Sequence, residues 1–159
     1  MRARGTQLLV MTALVSACSL PGGGAVPWSQ EEGDKVASWT QAEDRPWIEE
    51  AMPIDQAVLA SEADREAWLE EVPGGAGDDE SFDALRGVDL SENFIVIGGY
   101  GRCTEESAVT VSGDDDVTFE VRTEDEETNC EWMPYTIDAW SVPLEATGGA
   151  APDEVGQED

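Results

Sequence analysis

Phe94-Ile95-Val96-Ile97-Gly98-Gly99-Tyr100 decides how the rest of the chain is arranged. Four successive apolar residues of strand length, without polar alternation, describe a strand covered on both faces. The glycines behind them could suggest a phosphate-cradling loop. No Gly-Lys-Ser/Thr follows, however, and Gly98-Gly99-Tyr100-Gly101 reads instead as a turn or bulge after the buried strand. Downstream, Ala108 to Val111 and Val117 to Arg122 flank Ser112-Gly113-Asp114-Asp115-Asp116 and form a hairpin. Val117, Phe119 and Val121 alternate with Thr118, Glu120 and Arg122, so one face is buried and one wet. A last strand, Thr136 to Val142, sets Ile137 and Ala139 against Thr136, Asp138, Trp140 and Val142.

Upstream, Ala57-Val58-Leu59-Ala60 is a short strand running into a helix. Ser61 caps that helix, with Asp64 three residues on in an approximate capping box. Ala60, Ala63, Ala67, Trp68 and Val72 fall at helical spacing, and Pro73-Gly74-Gly75 ends the element. Residues 74 to 80 are a Gly and acid loop, and Phe82, Leu85 and Val88 mark a short helical turn. The class is therefore α+β: a small antiparallel, sandwich-like β domain over residues 54 to 144 with one N-terminal helix packed on it. Residues 18 to 53 read as a Gly- and Pro-containing tether. Trp39, Trp47 and Ile48 allow an edge strand there, while Arg45-Pro46 and Met52-Pro53 interrupt any long element. Residues 145 to 159 read as a frayed acidic tail.

The amino terminus carries an address. Arg2 and Arg4 precede an apolar run from Leu8 to Val15 that ends in small residues, the plan of an export signal. The run is about half the roughly 20 residues a spanning helix needs. Val15-Ser16-Ala17-Cys18 matches the lipobox, so cleavage before Cys18 and acylation of its thiol are expected; ordinary cleavage after Ala17 is the alternative. Two acyl chains, at about 0.8 kcal/mol per methylene, make a stable anchor on the outer face of the cell membrane. Trp28 then stands either at the bilayer interface or on the domain.

Setting Cys18 aside leaves Cys103 and Cys130 as an even pair in an exported chain. A bridge between them would contribute about 3.5 kcal/mol by the chain-entropy argument. The metal alternative is poor, since two cysteines without histidine make an incomplete zinc shell.

The chain of 159 residues has 36 acidic and 8 basic residues and no histidine. Loss of residues 1 to 17 would leave 142 and, by removing Arg2 and Arg4, take the formal charge from −28 to −30. Such a surface repels phosphate backbones, so no nucleic-acid partner is expected. Without histidine, neither a Ser-His-Asp nor a Cys-His nucleophile can be assembled. The single lysine, Lys35, falls in the tether. Asp114-Asp115-Asp116 is not an EF-hand start, because Phe119 stands where glycine is needed. No catalytic residue, metal or cofactor is expected. Tyr100, Arg102, Trp132, Tyr135 and Trp140 are candidates for an aromatic interaction surface, with core packing as the competing reading of the aromatics.

Val58-Leu59, Trp68, Val88-Asp89-Leu90, Phe94 to Ile97, Gly98-Gly99-Tyr100 and Val142-Pro143 occur in an order that resembles the PrcB-like lipoproteins, a group associated with a surface protease complex. Gly99-Tyr100-Gly101-Arg102-Cys103 and Cys130-Glu131-Trp132-Met133-Pro134 also resemble motifs of acidic lipoproteins of actinobacterial type. The resemblance implies a lipid-anchored extracytoplasmic module that binds or stabilises another exported protein, such as a protease. A small cation- or ligand-binding protein is the alternative.

Overall fold

A computed structural model describes residues 32–43, 45–54, 56–113, 116–123, 130–153 and 155–158. Strand β3 (Asn93–Gly101) lies between two apolar layers, and this is why its sequence does not alternate. Ile95 and Ile97 point into one cluster, while Phe94, Val96 and Tyr100 point into the other. Its neighbours are β6 (Tyr135–Pro143) and β2 (Ala57–Leu59), both antiparallel to it, and β1 (Asp34–Thr40) pairs with the far edge of β6. The four-stranded order is β1-β6-β3-β2. A second sheet of β4 (Glu105–Ser112), β5 (Asp116–Thr123) and β7 (Gly156–Glu158) covers one face. Helices α1 (Pro46–Ala51), α2 (Glu62–Glu71) and α3 (Asp83–Arg86) cover the other. The fold is α+β, in three layers, with helices on the first sheet and the hairpin sheet behind it.

Gly98-Gly99 is neither a turn nor a bulge. The β3 ladder runs through both glycines in register, Gly98 opposite Asp138 and Gly99 opposite Ile137. Their role is close approach. A Cβ on Gly98 would stand 2.7 Å from the Phe119 ring, and one on Gly99 would collide with the Tyr135 hydroxyl and Ile54. The two glycines thus open one socket on each face of the central sheet.

The expected helix and the short helical turn after it are both present as α2 and α3, α1 is additional to them, and the domain begins well before residue 54. Trp39, on β1, is 1% exposed; its ring stacks on Phe82 at 4.6 Å and meets Trp47 edge-on at 6.1 Å. Its indole N–H donates to the Ser81 carbonyl at 3.2 Å. Pro46 opens α1 instead of breaking it, because proline's fixed φ suits the first turn and the missing N–H is not needed there. Trp47 and Ile48 then enter the core directly.

On α2 the cap is as expected: the Asp64 N–H donates to Ser61 Oγ at 3.2 Å. The inward face is different. Ala63 and Ala67 are exposed, and the buried side is Arg65, Trp68, Leu69 and Val72, with Arg65 8% exposed. Arg65 donates to the carbonyls of Leu85 at 3.2 Å and Val88 at 2.9 Å and pairs with Glu62. The helix therefore docks partly through a guanidinium that satisfies the end of α3, a signal that apolar periodicity cannot register.

The carboxyl-terminal residues are not a frayed tail. Leu144–Thr147 form a 3₁₀ turn, with the Leu144 N–H donating to the Glu92 carbonyl at 2.9 Å. Ala146, Ala151 and Val155 pack on the inter-sheet cluster, and β7 adds to β5 in parallel register, Phe119 opposite Gln157. The open edge of β5 supplies the hydrogen-bond partners that a free tail would lack.

Candidate functional site

Because β3 and β6 are antiparallel with Gly101 opposite Tyr135, the segments beyond their ends meet. The Arg102 N–H donates to the Pro134 carbonyl at 2.9 Å, and Cys103 is joined to Cys130 with the Cα atoms 6.1 Å apart. The Glu105 carboxylate accepts the backbone N–H groups of Cys103 and Thr104. The Cys103 bond foremost holds its carboxyl below the ordinary value, against a smaller opposing effect of burial. The rim so fixed presents Trp132 at 60% and Met133 at 49% exposure; with Met52 these are the large apolar side chains exposed among the described residues. Met133 lies over Gly101, where an added Cβ would stand 3.1 Å from its terminal methyl.

The five residues expected to share one surface do not. Trp132 is displayed at the rim, and Arg102, which precedes Cys103, is half-buried at the same bridge-closed end. Tyr135 is half-buried, its phenolic oxygen accepting the Ile54 N–H at 3.2 Å. Tyr100 and Trp140, each 6% exposed, face the inter-sheet core. The even-numbered side of β6 is buried throughout, and the second sheet that covers it and the same face of β3 removes Tyr100 and Trp140 from any contact surface. Cys18 lies outside the described residues, as do Trp28, Asp114 and Asp115.

The residues missed by sequence reasoning surround Asp138, which is fully buried. Its Oδ2 accepts from Tyr100 at 2.9 Å and from Ser107 at 2.5 Å, and Lys35 Nζ stands 2.9 Å away. Trp140 Nε1 donates to Ser107 Oγ at 3.0 Å, closing the network, and the Lys35 ammonium sits 5.2 Å from the Trp140 ring centroid. Lys35 is therefore not in a tether; it is a strand residue opposite Trp140, with its ammonium on the fully buried Asp138 carboxylate. Burial pushes the Asp138 carboxyl up, but hydrogen bonds from Ser107 and Ser38 and the Lys35 ammonium outweigh it, and the group sits below the ordinary carboxylate value. Tyr100 is driven upward, first by desolvation and then by the Asp138 charge. An isolated buried charge would cost several kcal/mol. The donors around Asp138 offset that cost and lock the two sheets together. Acid, amine and hydroxyl are mutually engaged with the carboxylate in the core, so this is a stabilising network.

A cleft of about 520 Å³ between α2 and the 77–86 segment is lined by Glu62, Arg65, Glu66, Asp78 and Arg86 among others. Its cations are committed: Arg65 as above, and Arg86 to Asp83 at 2.7 Å and to the carbonyls of Asp79 and Gly77. Among the described residues no group of three or more His, Cys, Asp or Glu is placed to hold a metal, and no helix is long and apolar enough to cross a membrane. Comparison with family models, with curated proteins and with solved structures yields no match.

Proposed function

We propose that this chain is a lipid-anchored extracytoplasmic lipoprotein that serves as an interaction module for another exported protein. The observation that carries the reading is the rim at the end of the β3–β6 ladder, where Trp132 and Met133 are displayed next to the Cys103–Cys130 bridge. Exposed large side chains of this kind become binding anchors when their backbone is already ordered, since less entropy is lost on contact. The lipobox at Val15 to Cys18 and the oxidised cysteine pair support placement outside the cytoplasm. The PrcB-like resemblance suggests a protease as the partner class.

Two measurements test it. Mass spectrometry of the mature amino terminus is expected to find a diacylglyceryl adduct on Cys18, and an unmodified Cys18 in producing cells would refute the anchor. In-cell crosslinking through a photoreactive residue at Met133 is expected to trap a defined exported protein. Trp132→Ala should reduce that adduct at least about fivefold, on the scale of a hot-spot residue, while leaving the melting temperature unchanged. An adduct insensitive to Trp132→Ala would rule out the rim as the contact.

A further inference from the structure

We propose that the groove between the carboxyl-terminal turns of α1 and α2 docks a basic peptide segment of a partner protein. No residue of the Trp132–Met133 rim lines this groove. The groove encloses about 400 Å³, within the range of built ligand sites. Its apolar walls include Trp47, Trp68 and Ile54, and its charged lining is Glu50 and Glu71 alone.

The electrostatics of both helix ends are of the wrong sign for an isolated molecule. Unpaired carbonyls at a helix carboxyl terminus favour a neighbouring cation. Neither α1 nor α2 has a basic residue in its last turn, and each places a glutamate there instead. Among the described residues neither Glu50 nor Glu71 forms an ion pair. In the larger cleft on the other side of α2, arginines occupy the corresponding role; here the cation has to come from outside. A second copy of a chain with formal charge −28 is a poor source.

A second observation selects a peptide over a simple cation. Gln56 lines the same groove, and its Nε2 is buried without a hydrogen-bond acceptor. Turned outward on its half-buried side chain, that amide donor would meet a carbonyl in the groove. An extended peptide brings a carbonyl at every residue. An arginine or lysine on it brings an aliphatic stem for the indoles of Trp47 and Trp68 and a charged head for the carboxylates. Gln56 directly precedes β2, the outermost strand of the four-stranded sheet, so a segment lying against it runs beside extended backbone.

The test titrates the isotope-labelled full chain with acetyl-Gly-Val-Arg-Val-Gly-amide while the Gln56 side-chain amide resonances are followed. Saturable shifts of those resonances are expected. Affinity should fall at least about tenfold in Glu50→Gln/Glu71→Gln, as for removal of close charge partners, and stay unchanged in Trp132→Ala. Both glutamates are exposed and the replacement is isosteric, so the double variant is expected to fold, and an unchanged melting temperature verifies it. The proposal is overturned by absence of shifts at millimolar peptide, by equal binding of the peptide with glutamate in place of arginine, or by undiminished binding to the folded double variant. Calcium alone reproducing the Gln56 shifts would overturn it as well, since the site would then be a cation site.

Discussion

Replacing Asp138 with asparagine would remove the charge on which Tyr100, Ser107 and Lys35 converge, while keeping the shape of the side chain. Hydrogen bonds to a charged group contribute about 1.5–3 kcal/mol each, net of their exchange with water, and do not add in full when they share one acceptor. Asp138→Asn is therefore expected to lower unfolding free energy in urea by about 2–3 kcal/mol. The pH dependence has a definite sign. The Asp138 carboxyl is depressed below its ordinary value of 3.8, so its contribution is present above that value and lost as pH falls through the folded-state value. Tyr100 is raised above 10.0, so the unfolded chain loses the phenolic proton first and stability falls as pH rises past 10. Asp138→Asn should flatten the acid limb and Tyr100→Phe the alkaline limb; a variant that merely shifted both limbs together would refute the assignment. None of this was legible in the sequence. Asp138 sits at an alternating position of β6 that reads as solvent-facing, and only the second sheet, brought over it by the hairpin, makes it interior.

Elements with local signals were readable, and those defined by distant partners were not. The hairpin, the β3 run and the Ser61 cap each rest on a few adjacent residues, and the structure holds all three. Strand β7 has no apolar pattern and exists because β5 has an edge to offer. The same applies to α1: Pro46 looks like an interruption until it falls at the opening turn. The reading of β7 as structural predicts that a stop after residue 154 lowers the melting temperature by several degrees, on the order of 1–2 kcal/mol for a domain of this size, and raises amide exchange along β5 at Thr118 to Glu120 specifically. Unaltered exchange there would show that the strand contributes nothing. Disulfide reduction should act elsewhere, at the Gly101–Tyr135 end of the ladder, so the two perturbations are separable by residue.

At the scale of the whole molecule, 36 acidic residues face 8 basic ones, and their mutual repulsion opposes compaction. The screening length shrinks from roughly 30 Å at 0.01 M salt to roughly 8 Å at 0.15 M. The melting temperature is expected to climb by several degrees over that interval in sodium chloride. Calcium at sub-millimolar concentration should match sodium at equal ionic strength; a distinctly larger effect of calcium would favour the cation-binding alternative. The order of strands has a consequence of its own. β1 closes the sheet against β6, with Trp39 opposite Ile137, so among the described strands the first to leave the ribosome waits for the sixth. At about 5–20 residues per second, the intervening hundred or so residues take roughly 5–20 s to appear. For that interval β1 lacks its strand partner, although Trp47, Trp68 and Phe82, which pack on Trp39, have already emerged. A chain with this strand order completes its three layers only once nearly all of it has been made.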